Sequence, residues 1–165
     1  MPNLPILVIG GGPAGLEAAR GIADLGYNAI LVDKAEFLGG TPISADYAAI
    51  TPDMRNTEEA MNEMIEKVTD NPLVDIRLNT IVTASEGEAP NLNVTLKNGK
   101  GDEILHVGSI VVATGFQHFD PGKETQMYGY YEYDDVITLV DAERMLKAGD
   151  FVRPSNGEKP KQVCF

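Results

Sequence analysis

The chain has 165 residues, 43% of them hydrophobic, so it is long enough to bury the core of one domain, or of one domain and a fragment of another. Its 25 acidic and 13 basic residues give a net charge of −12, which argues against nucleic acids and anionic membranes as partners, because both attract clustered Lys and Arg. The single cysteine, Cys164, excludes an internal disulfide, a C-x-x-C redox pair and an iron–sulfur cluster held by four cysteines of this chain.

No apolar run approaches the ~18 residues that a membrane-spanning helix needs. The N-terminus has no basic region before its first apolar stretch, so a signal peptide is not expected. These features predict a cytoplasmic protein whose chemistry, if it has any, comes from a bound organic cofactor.

The chain begins with an apolar run over residues 5–9 that leads directly into Gly10-Gly11-Gly12-Pro13-Ala14-Gly15. An amphipathic stretch follows from Pro13 to Leu25, and a second apolar run, Ala29–Val32, ends on Asp33. The order of apolar run, G-x-G-x-x-G turn, helix, apolar run and terminal acid predicts a βαβ dinucleotide-binding unit.

The residues of this unit suit a bound dinucleotide. Gly10 permits a tight turn, Gly12 leaves room for a pyrophosphate, and Gly15 lets the helix lie close to the sheet. Pro13 suits the first helical turn, whose free N–H groups and dipole attract an anion. Asp33 is placed to accept hydrogen bonds from ribose hydroxyls, and its charge disfavours the 2′-phosphate of NADP. The alternative is a glycine turn without a ligand, although three adjacent glycines carry an entropy cost that a purely structural turn has little reason to accept.

The stretch Gly39-Gly40-Thr41-Pro42 interrupts the pattern, and it is equally consistent with backbone beside a flavin or with an ordinary glycine loop. Asn56 or Thr57 is predicted to cap a helix, because Glu58 and Glu59 follow in the first turn and apolar residues recur at helical spacing. Its methionines are interpreted as core residues. Asn71-Pro72 ends it, and strands are predicted at 74–78 and 81–84.

Alternation of apolar and polar residues predicts a hairpin from Leu92 to Val107, with its turn at Asn98-Gly99. A buried strand then ends on Ala113-Thr114-Gly115. His106 and His118 have no cysteine, second histidine or carboxylate pair at ligand spacing nearby, so both are interpreted as structural or solvated residues and no metal site is predicted.

The last part of the chain begins after Gly115 with an aromatic loop, which contains Phe116, Phe119, Tyr128, Tyr130, Tyr131 and Tyr133. The loop is interpreted as packing onto the domain, and stacking on an isoalloxazine or on a partner is the alternative. A short helix is predicted over 138–147, with Leu139, Ala142, Met145 and Leu146 facing inward. Residues 153–160 have a turn-rich composition typical of a linker, and 162–165 are predicted to begin a strand. The predicted domains are therefore 1–152, and 153–165 as a linker with the first strand of a second domain.

These elements predict an α/β, Rossmann-like fold with a central parallel sheet, crossover helices and an antiparallel β-meander. Their order resembles the FAD domain of the two-dinucleotide-binding, disulfide-reductase-like flavoproteins. The G-x-G-x-x-G unit ending on Asp33, the meander of Leu92–Val107 and the strand closing on Ala113-Thr114-Gly115 carry this resemblance.

A narrower resemblance is to the flavin A subunit of heterodisulfide reductase and the related flavin subunits of the quinone-interacting membrane-bound oxidoreductase. It rests on Gly115-Phe116, Phe119-Asp120-Pro121, Tyr128-Gly129-Tyr130 and the stretch 152–161. It implies FAD, cytoplasmic electron transfer and iron–sulfur partner subunits. Those flavin subunits carry cysteine motifs that this chain lacks and continue into a C-terminal half, so the chain is expected to be an N-terminal fragment or a truncated relative.

The resemblance also implies which residues bind the cofactor, by position. The residues at the pyrophosphate would be Gly10, Gly12, Pro13, Ala14 and Gly15. Asp33 and Lys34 would flank the adenosine ribose, and the loop beside the ribose would be Gly39, Gly40 and Thr41. The backbone of Val82 would contact the adenine, and the flavin side would be lined by Ala113, Thr114 and Gly115. No catalytic acid, base or nucleophile is predicted, since in such proteins the flavin carries the redox chemistry.

Three functions fit the sequence. The first is an FAD-binding electron-transfer module of an oxidoreductase complex. The second is an NAD-binding module of a dehydrogenase. The G-x-G-x-x-G unit by itself permits this function, but the meander and the strand that ends on Ala113-Thr114-Gly115 disfavour it. The third is a scaffold that no longer binds a nucleotide. A homodimer or a partner contact is also expected, because an incomplete two-domain architecture leaves apolar surface uncovered.

Overall fold

A computed structural model describes residues 4–123 and 128–164 of the chain. In this part of the chain the strands are β1 (Ile6–Ile9), β2 (Ala29–Val32), β3 (Ala49–Ile50), β4 (Arg55–Asn56), β5 (Val74–Arg77), β6 (Ile81–Glu88), β7 (Asn91–Asn98), β8 (Gly101–Val107) and β9 (Ser109–Val112). The α-helices are α1 (Pro13–Asp24), α2 (Thr41–Ser44), α3 (Thr57–Thr69) and α4 (Leu139–Ala148).

The chain divides into two compact units. The first unit contains the residues up to Ser44 and those from Glu58 to Gly115, and the second contains Ala45–Thr57 and everything from Phe116 onward. This division runs through the region that the sequence predicts as one domain. The boundary after residue 152 therefore stays a prediction.

The first unit is built on a four-stranded parallel sheet in the order β5-β2-β1-β9. Ile6 of β1 lies between Ala29 of β2 and Ser109 of β9 in the register. Because β2 is the short apolar run 29–32, covered on both faces, all four of its residues are buried. The helices α1 and α3 make the crossovers between the parallel strands, so the predicted Rossmann-like class is confirmed.

One face of this sheet packs against the helices. Val8 and Leu31 of the sheet lie in one cluster with Leu16 of α1 and Met61 of α3, and all four are fully buried. Met61 is therefore a core residue, as predicted. Burial of each such side chain contributes about 1.5–3 kcal/mol to the stability of the fold. This is much more than the intrinsic helix propensity of the residues in one helical turn contributes.

The opposite face packs against a three-stranded antiparallel meander, β6-β7-β8. Val94, Leu96 and Val107 of the meander are buried against Leu7 and Val32 of the parallel sheet. The predicted hairpin of Leu92–Val107 is formed by β7 and β8. The strand predicted at 81–84 extends to Glu88 and pairs antiparallel with β7, so the meander has one more strand than the sequence indicated.

The second unit has less regular structure. β3 and β4 form a short antiparallel pair, and α4 begins after its N-cap, Thr138, close to the predicted start. The predicted inward-facing set of α4 is wrong in part, because Leu139 is 68% and Leu146 53% exposed. The strand predicted at 162–165 does not form over 162–164, and Phe165 lies outside the described residues.

Candidate functional site

The N-terminus of α1 lies immediately after β1, and nothing caps it with a side chain. Its N-cap is Gly12, in an extended conformation, and Pro13 occupies the first helical position. The N–H groups of the first turn therefore point out of the helix without a capping side chain, at the positive end of the helix dipole. Such a helix end binds anions, phosphates above all.

Two glycines of the turn are required by packing. Gly10 has φ +110°, and a Cβ there would lie 2.2 Å from the carbonyl oxygen of Ala113. A Cβ on Gly15 would lie 1.7 Å from the carbonyl oxygen of Gly10. These positions let the end of β1, the start of α1 and the end of β9 approach one another more closely than side chains would permit.

Gly12 differs from both, because the space beside it is open. The nearest atom to a Cβ built there is the Cα of Gly40, at 3.7 Å. The loop containing Gly39 and Gly40 lies against the glycine turn, and the N–H of Gly39 donates to the carbonyl oxygen of Gly11 at 2.8 Å. Gly12 therefore lines a cradle of bare backbone that a methyl group would partly fill, beside an uncapped helix terminus.

Asp33 is held by hydrogen bonds on its side chain and its backbone. Oδ2 accepts from the N–H of Gly11, and Oδ1 accepts from the N–H of Ala35 at 2.8 Å. The carbonyl oxygen of Asp33 accepts from the N–H of Thr80, also at 2.8 Å. Each carboxylate oxygen keeps further acceptor capacity, so the side chain can receive hydroxyl donors from a ligand.

A cleft of about 240 Å³ opens beside Asp33, entirely within the first unit. It brings together five of the residues predicted from sequence, which are Gly10, Asp33, Lys34, Val82 and Thr114. It also contains residues that sequence reasoning missed, which are Ile9, Val32, Thr80 and Ile81.

Thr80 and Ile81 could have been found from the order of the strands. Arg77 at the end of β5 is the register partner of Val32, the residue before Asp33. The carboxyl ends of neighbouring parallel strands meet at one edge of a sheet, so the residues that follow β5 must lie beside Asp33.

The remaining predicted residues lie around the cleft without lining it. Pro13, Ala14 and Gly15 belong to the first turn of α1, Gly39 and Gly40 pack beside the glycine turn, and Thr41 begins α2. Ala113 lies beneath Gly10, and Gly115 is exposed with φ +71°. The binding roles of all the predicted residues stay predictions.

Two negative observations apply to residues 4–123 and 128–164. No group of three or more His, Cys, Asp or Glu residues among them is arranged to hold a metal ion. Within the same residues, no helix has both the length and the apolar character needed to cross a membrane.

The parallel sheet, its crossover helices and the antiparallel meander are those of a Rossmann-like oxidoreductase domain. The chain belongs to the family of pyridine nucleotide-disulphide oxidoreductases, whose profile matches residues 4–150. A flavin-dependent monooxygenase, PieE, solved in complex with FAD and substrate, is among its structural neighbours at 14% identity and a TM-score of 0.55, a likeness that shows the fold alone.

The chain is similar to the A subunits of heterodisulfide reductases. It is 26% identical over 240 residues to the second of two CoB–CoM heterodisulfide reductase iron-sulfur A subunits of Methanopyrus kandleri, a match that covers 96% of this chain and 36% of the relative. The first A subunit of the same organism is 44% identical over 66 residues, which cover 37% of this chain and 10% of that relative. Among solved structures, the L-proline dehydrogenase from P. horikoshii matches 68% of this chain and 22% of its own with a TM-score of 0.61 at 22% identity, which shows the fold alone.

The chain thus corresponds to a heterodisulfide reductase A-like flavin oxidoreductase domain, and it spans about a third of the length of the relative that it matches throughout. The longer alignment has 240 residues although this chain has 165, so the relative carries, inside the aligned region, residues that this chain lacks.

Proposed function

We propose that the chain is an FAD-binding electron-transfer module of an oxidoreductase complex of the heterodisulfide reductase A type. The observation that carries the proposal is the convergence of three features of the first unit. They are the uncapped N-terminus of α1, the open backbone cradle at Gly12, and the cleft that contains Asp33, Lys34 and Val82.

Each of these features suits one part of FAD. The first-turn N–H groups of α1, around Gly12, would bind the pyrophosphate, and Pro13, Ala14 and Gly15 would keep that turn in place. Asp33 would accept hydrogen bonds from the ribose hydroxyls, beside Lys34 and the backbone of Val82 at the adenine. The loop Gly39-Gly40-Thr41 and the turn Ala113-Thr114-Gly115 would flank the rest of the cofactor.

The bound flavin would supply the redox chemistry by accepting and releasing electrons. The residues of this chain would bind and orient it, and the buried contacts between the glycine turn and its neighbours would keep that geometry rigid.

The cysteine content of the chain indicates what kind of partner would exchange electrons with it. The chain has one cysteine, so it cannot by itself provide four thiolates to an iron–sulfur cluster, whereas the relatives are named iron-sulfur subunits. We infer that the electrons pass to or from iron–sulfur subunits, or to further parts of a longer polypeptide, in the cytoplasm.

The first experiment is the visible absorption spectrum of the purified protein, recorded before and after addition of FAD and desalting. We expect a retained flavin band. A protein that stays colourless after loading would contradict the proposal and favour the scaffold function.

The Gly12→Ala variant makes this experiment specific to the site. Gly12 has φ −78°, which suits any residue, and a Cβ fits there at 3.7 Å from its nearest neighbour, so we expect the variant to fold. The added methyl group occupies the cradle, and FAD binding should weaken roughly tenfold or more, a difference of about 1.4 kcal/mol or more.

The matched control is Gly21→Ala in the same helix, where a Cβ would meet nothing within 4 Å. This variant should bind FAD like the wild type, since it changes only helix propensity. Equal affinities of the Gly12→Ala and Gly21→Ala variants would refute the assignment of the pyrophosphate site.

A further inference from the structure

The cleft beside Asp33 is formed by chain segments that belong to different sheets. Asp33 and Lys34 follow β2 of the parallel sheet, whereas Ile81 and Val82 begin β6 of the meander, and all four line the cleft. Thr80, the residue before β6, also lines it, although Thr80 is only 3% exposed. The spacing between the two segments therefore determines the shape of the cleft.

Three backbone hydrogen bonds join these segments beyond the paired part of β2 and β5. The N–H of Asp33 donates to the carbonyl oxygen of Arg77 at 3.0 Å. The N–H of Asn79 donates to the carbonyl oxygen of Ala35 at 2.9 Å. The N–H of Thr80 donates to the carbonyl oxygen of Asp33 at 2.8 Å. Of these bonds, the one that Thr80 makes lies nearest to the start of the meander.

The side chain of Thr80 stabilises the turn from which this last bond is made. Its hydroxyl donates to the carbonyl oxygen of Leu78 at 2.8 Å, across Asn79, whose φ is +51°. A left-handed conformation is strained for residues other than glycine, although asparagine tolerates it better than most. Because the hydroxyl bond closes the turn, it offsets this strain and favours the conformation in which the N–H of Thr80 reaches Asp33.

We propose that Thr80 is a positioning residue for the nucleotide base, and that its hydroxyl maintains the selectivity of the cleft for adenine. The inference rests on the proposed function, in which Asp33 accepts hydrogen bonds from the ribose and the backbone of Val82 lies at the adenine. Ribose and base are directly bonded to each other, so both contacts form together only when the spacing between Asp33 and Val82 is fixed. Thr80 fixes that spacing, because it is hydrogen-bonded to Asp33 and precedes Val82 by two residues.

The selectivity follows from the donors and acceptors on the base. One backbone N–H donor and one carbonyl acceptor match N1 and the 6-amino group of adenine. Hypoxanthine carries an N–H at N1 and an oxygen at C6, so it reverses both and would leave the backbone groups unpaired. This discrimination requires the backbone to lie within hydrogen-bond reach of the base, whereas the contacts to ribose and pyrophosphate are the same for both bases.

The test is a competition between FAD and flavin hypoxanthine dinucleotide, which differ only in the base. The purified full chain is equilibrated with an excess of an equimolar mixture and desalted, and the bound flavins are separated and quantified. The wild type should retain FAD in roughly tenfold or greater preference. Thr80→Val keeps the volume of the side chain without its hydroxyl, and the preference should fall about threefold or more.

Two further variants separate positioning from a general loss of stability. Thr80→Ser keeps the hydroxyl and should retain the wild-type preference for FAD. The matched control is Thr83→Val in β6, since the hydroxyl of Thr83 donates to the carbonyl oxygen of Thr95 at 3.3 Å and Thr83 is exposed and does not line the cleft. This variant also loses one hydroxyl bond and should retain the preference.

The outcomes distinguish this inference from the proposed function. A wild type that retains neither flavin would overturn the proposed function and this inference with it. A wild type that retains both flavins equally would overturn this inference alone. So would a preference that is unchanged in Thr80→Val, lost in Thr80→Ser, or lowered equally in Thr83→Val.

Discussion

The close approach of three backbone segments determines which residues are permitted at the end of β1. Gly10 lies against the carbonyl group of Ala113, and Gly15 lies against Gly10 itself. At these two positions glycine is a packing requirement, and at Gly12 it leaves open space that we propose a ligand occupies. Within this one motif, substitution of a packing glycine should therefore lower the stability of the fold, whereas substitution of Gly12 should weaken ligand binding.

Gly10→Ala should destabilise the protein strongly. The added Cβ would lie 2.2 Å from a carbonyl oxygen at φ +110°, so β1 and β9 must separate, with an expected loss of about 3 kcal/mol or more in the free energy of unfolding. Gly115→Ala is the comparison, since it has φ +71° with nothing near its Cβ and should lose only about 1–2 kcal/mol. Urea unfolding of the two variants measures both values, and equal losses would mean that the contact with Ala113 is not restrictive.

Asp33→Ala should reduce both stability and flavin affinity. The substitution leaves the N–H groups of Gly11 and Ala35 without their carboxylate acceptor, and Gly11 is buried. An unsatisfied buried donor costs about 1–3 kcal/mol, which chemical denaturation will detect. FAD titration should show weaker binding, because the ribose loses its acceptor. The control is Glu36→Ala, an exposed carboxylate three residues on, and identical behaviour of the two variants would exclude a specific role for Asp33.

At the scale of the element, α4 depends on its first turn. Thr138 and Asp141 form a reciprocal capping box, in which Thr138 Oγ1 accepts from the N–H of Asp141 at 3.2 Å and Asp141 Oδ2 accepts from the N–H of Thr138 at 2.9 Å. Tyr130 donates to the same carboxylate oxygen. One side chain thus caps the helix and holds the aromatic loop.

The capping box should make the stability of α4 depend on pH. Burial raises the pKa of Asp141, but hydrogen bonds from Thr138 and Tyr130 and the charge of Arg144 outweigh it, so the pKa lies below its usual value. A carboxyl group whose pKa is lowered by folding contributes stability that is complete above its unfolded pKa, about 4, and is lost as the pH falls through its folded pKa.

Thr138→Ala tests this dependence. It should lower the free energy of unfolding by about 1 kcal/mol at neutral pH, and by less in acid, where Asp141 becomes protonated and the wild-type cap weakens as well. Thr69→Ala, on the exposed last residue of α3, should have a pH-independent effect. Urea unfolding of both variants at neutral and acidic pH decides the matter, and a constant difference for Thr138→Ala would contradict the role of the carboxylate.

At the scale of the whole molecule, the parallel sheet carries one G-x-G-x-x-G turn and one acid at the end of the second strand, in a chain of 165 residues. The helices cover one face of that sheet and the meander covers the other. The proposed dinucleotide site is therefore at the open edge of the sheet, where the glycine turn and Asp33 meet.

One chain should bind one FAD. Titration should saturate at a single flavin per chain, and the chain has no tryptophan, so flavin fluorescence can be followed without a tryptophan signal from the protein. NAD added in large excess should displace little FAD. Binding of two flavins would contradict the single site, and efficient displacement by NAD would favour the dehydrogenase alternative.

The sequence by itself determined the features that depend on neighbours along the chain. The βαβ unit follows from two short apolar runs, a glycine turn and an amphipathic stretch, and the predicted helix 13–25 differs from α1 by one residue. The pairing of β7 with β8 was predictable for the same reason, because alternation and a turn lie within one local stretch.

Only the tertiary structure decided which distant segments meet. Periodicity predicted a strand at Ile81 but not its pairing with β7, and it predicted a face of α4 but not whether anything covers Leu139. The motif gave Gly10 a role in a turn, whereas the contact that makes glycine necessary there comes from Ala113, about a hundred residues along the chain. Thr80 and Ile81 joined the cleft in the same way, since a strand order is set by the packing of the whole sheet, which no local pattern encodes.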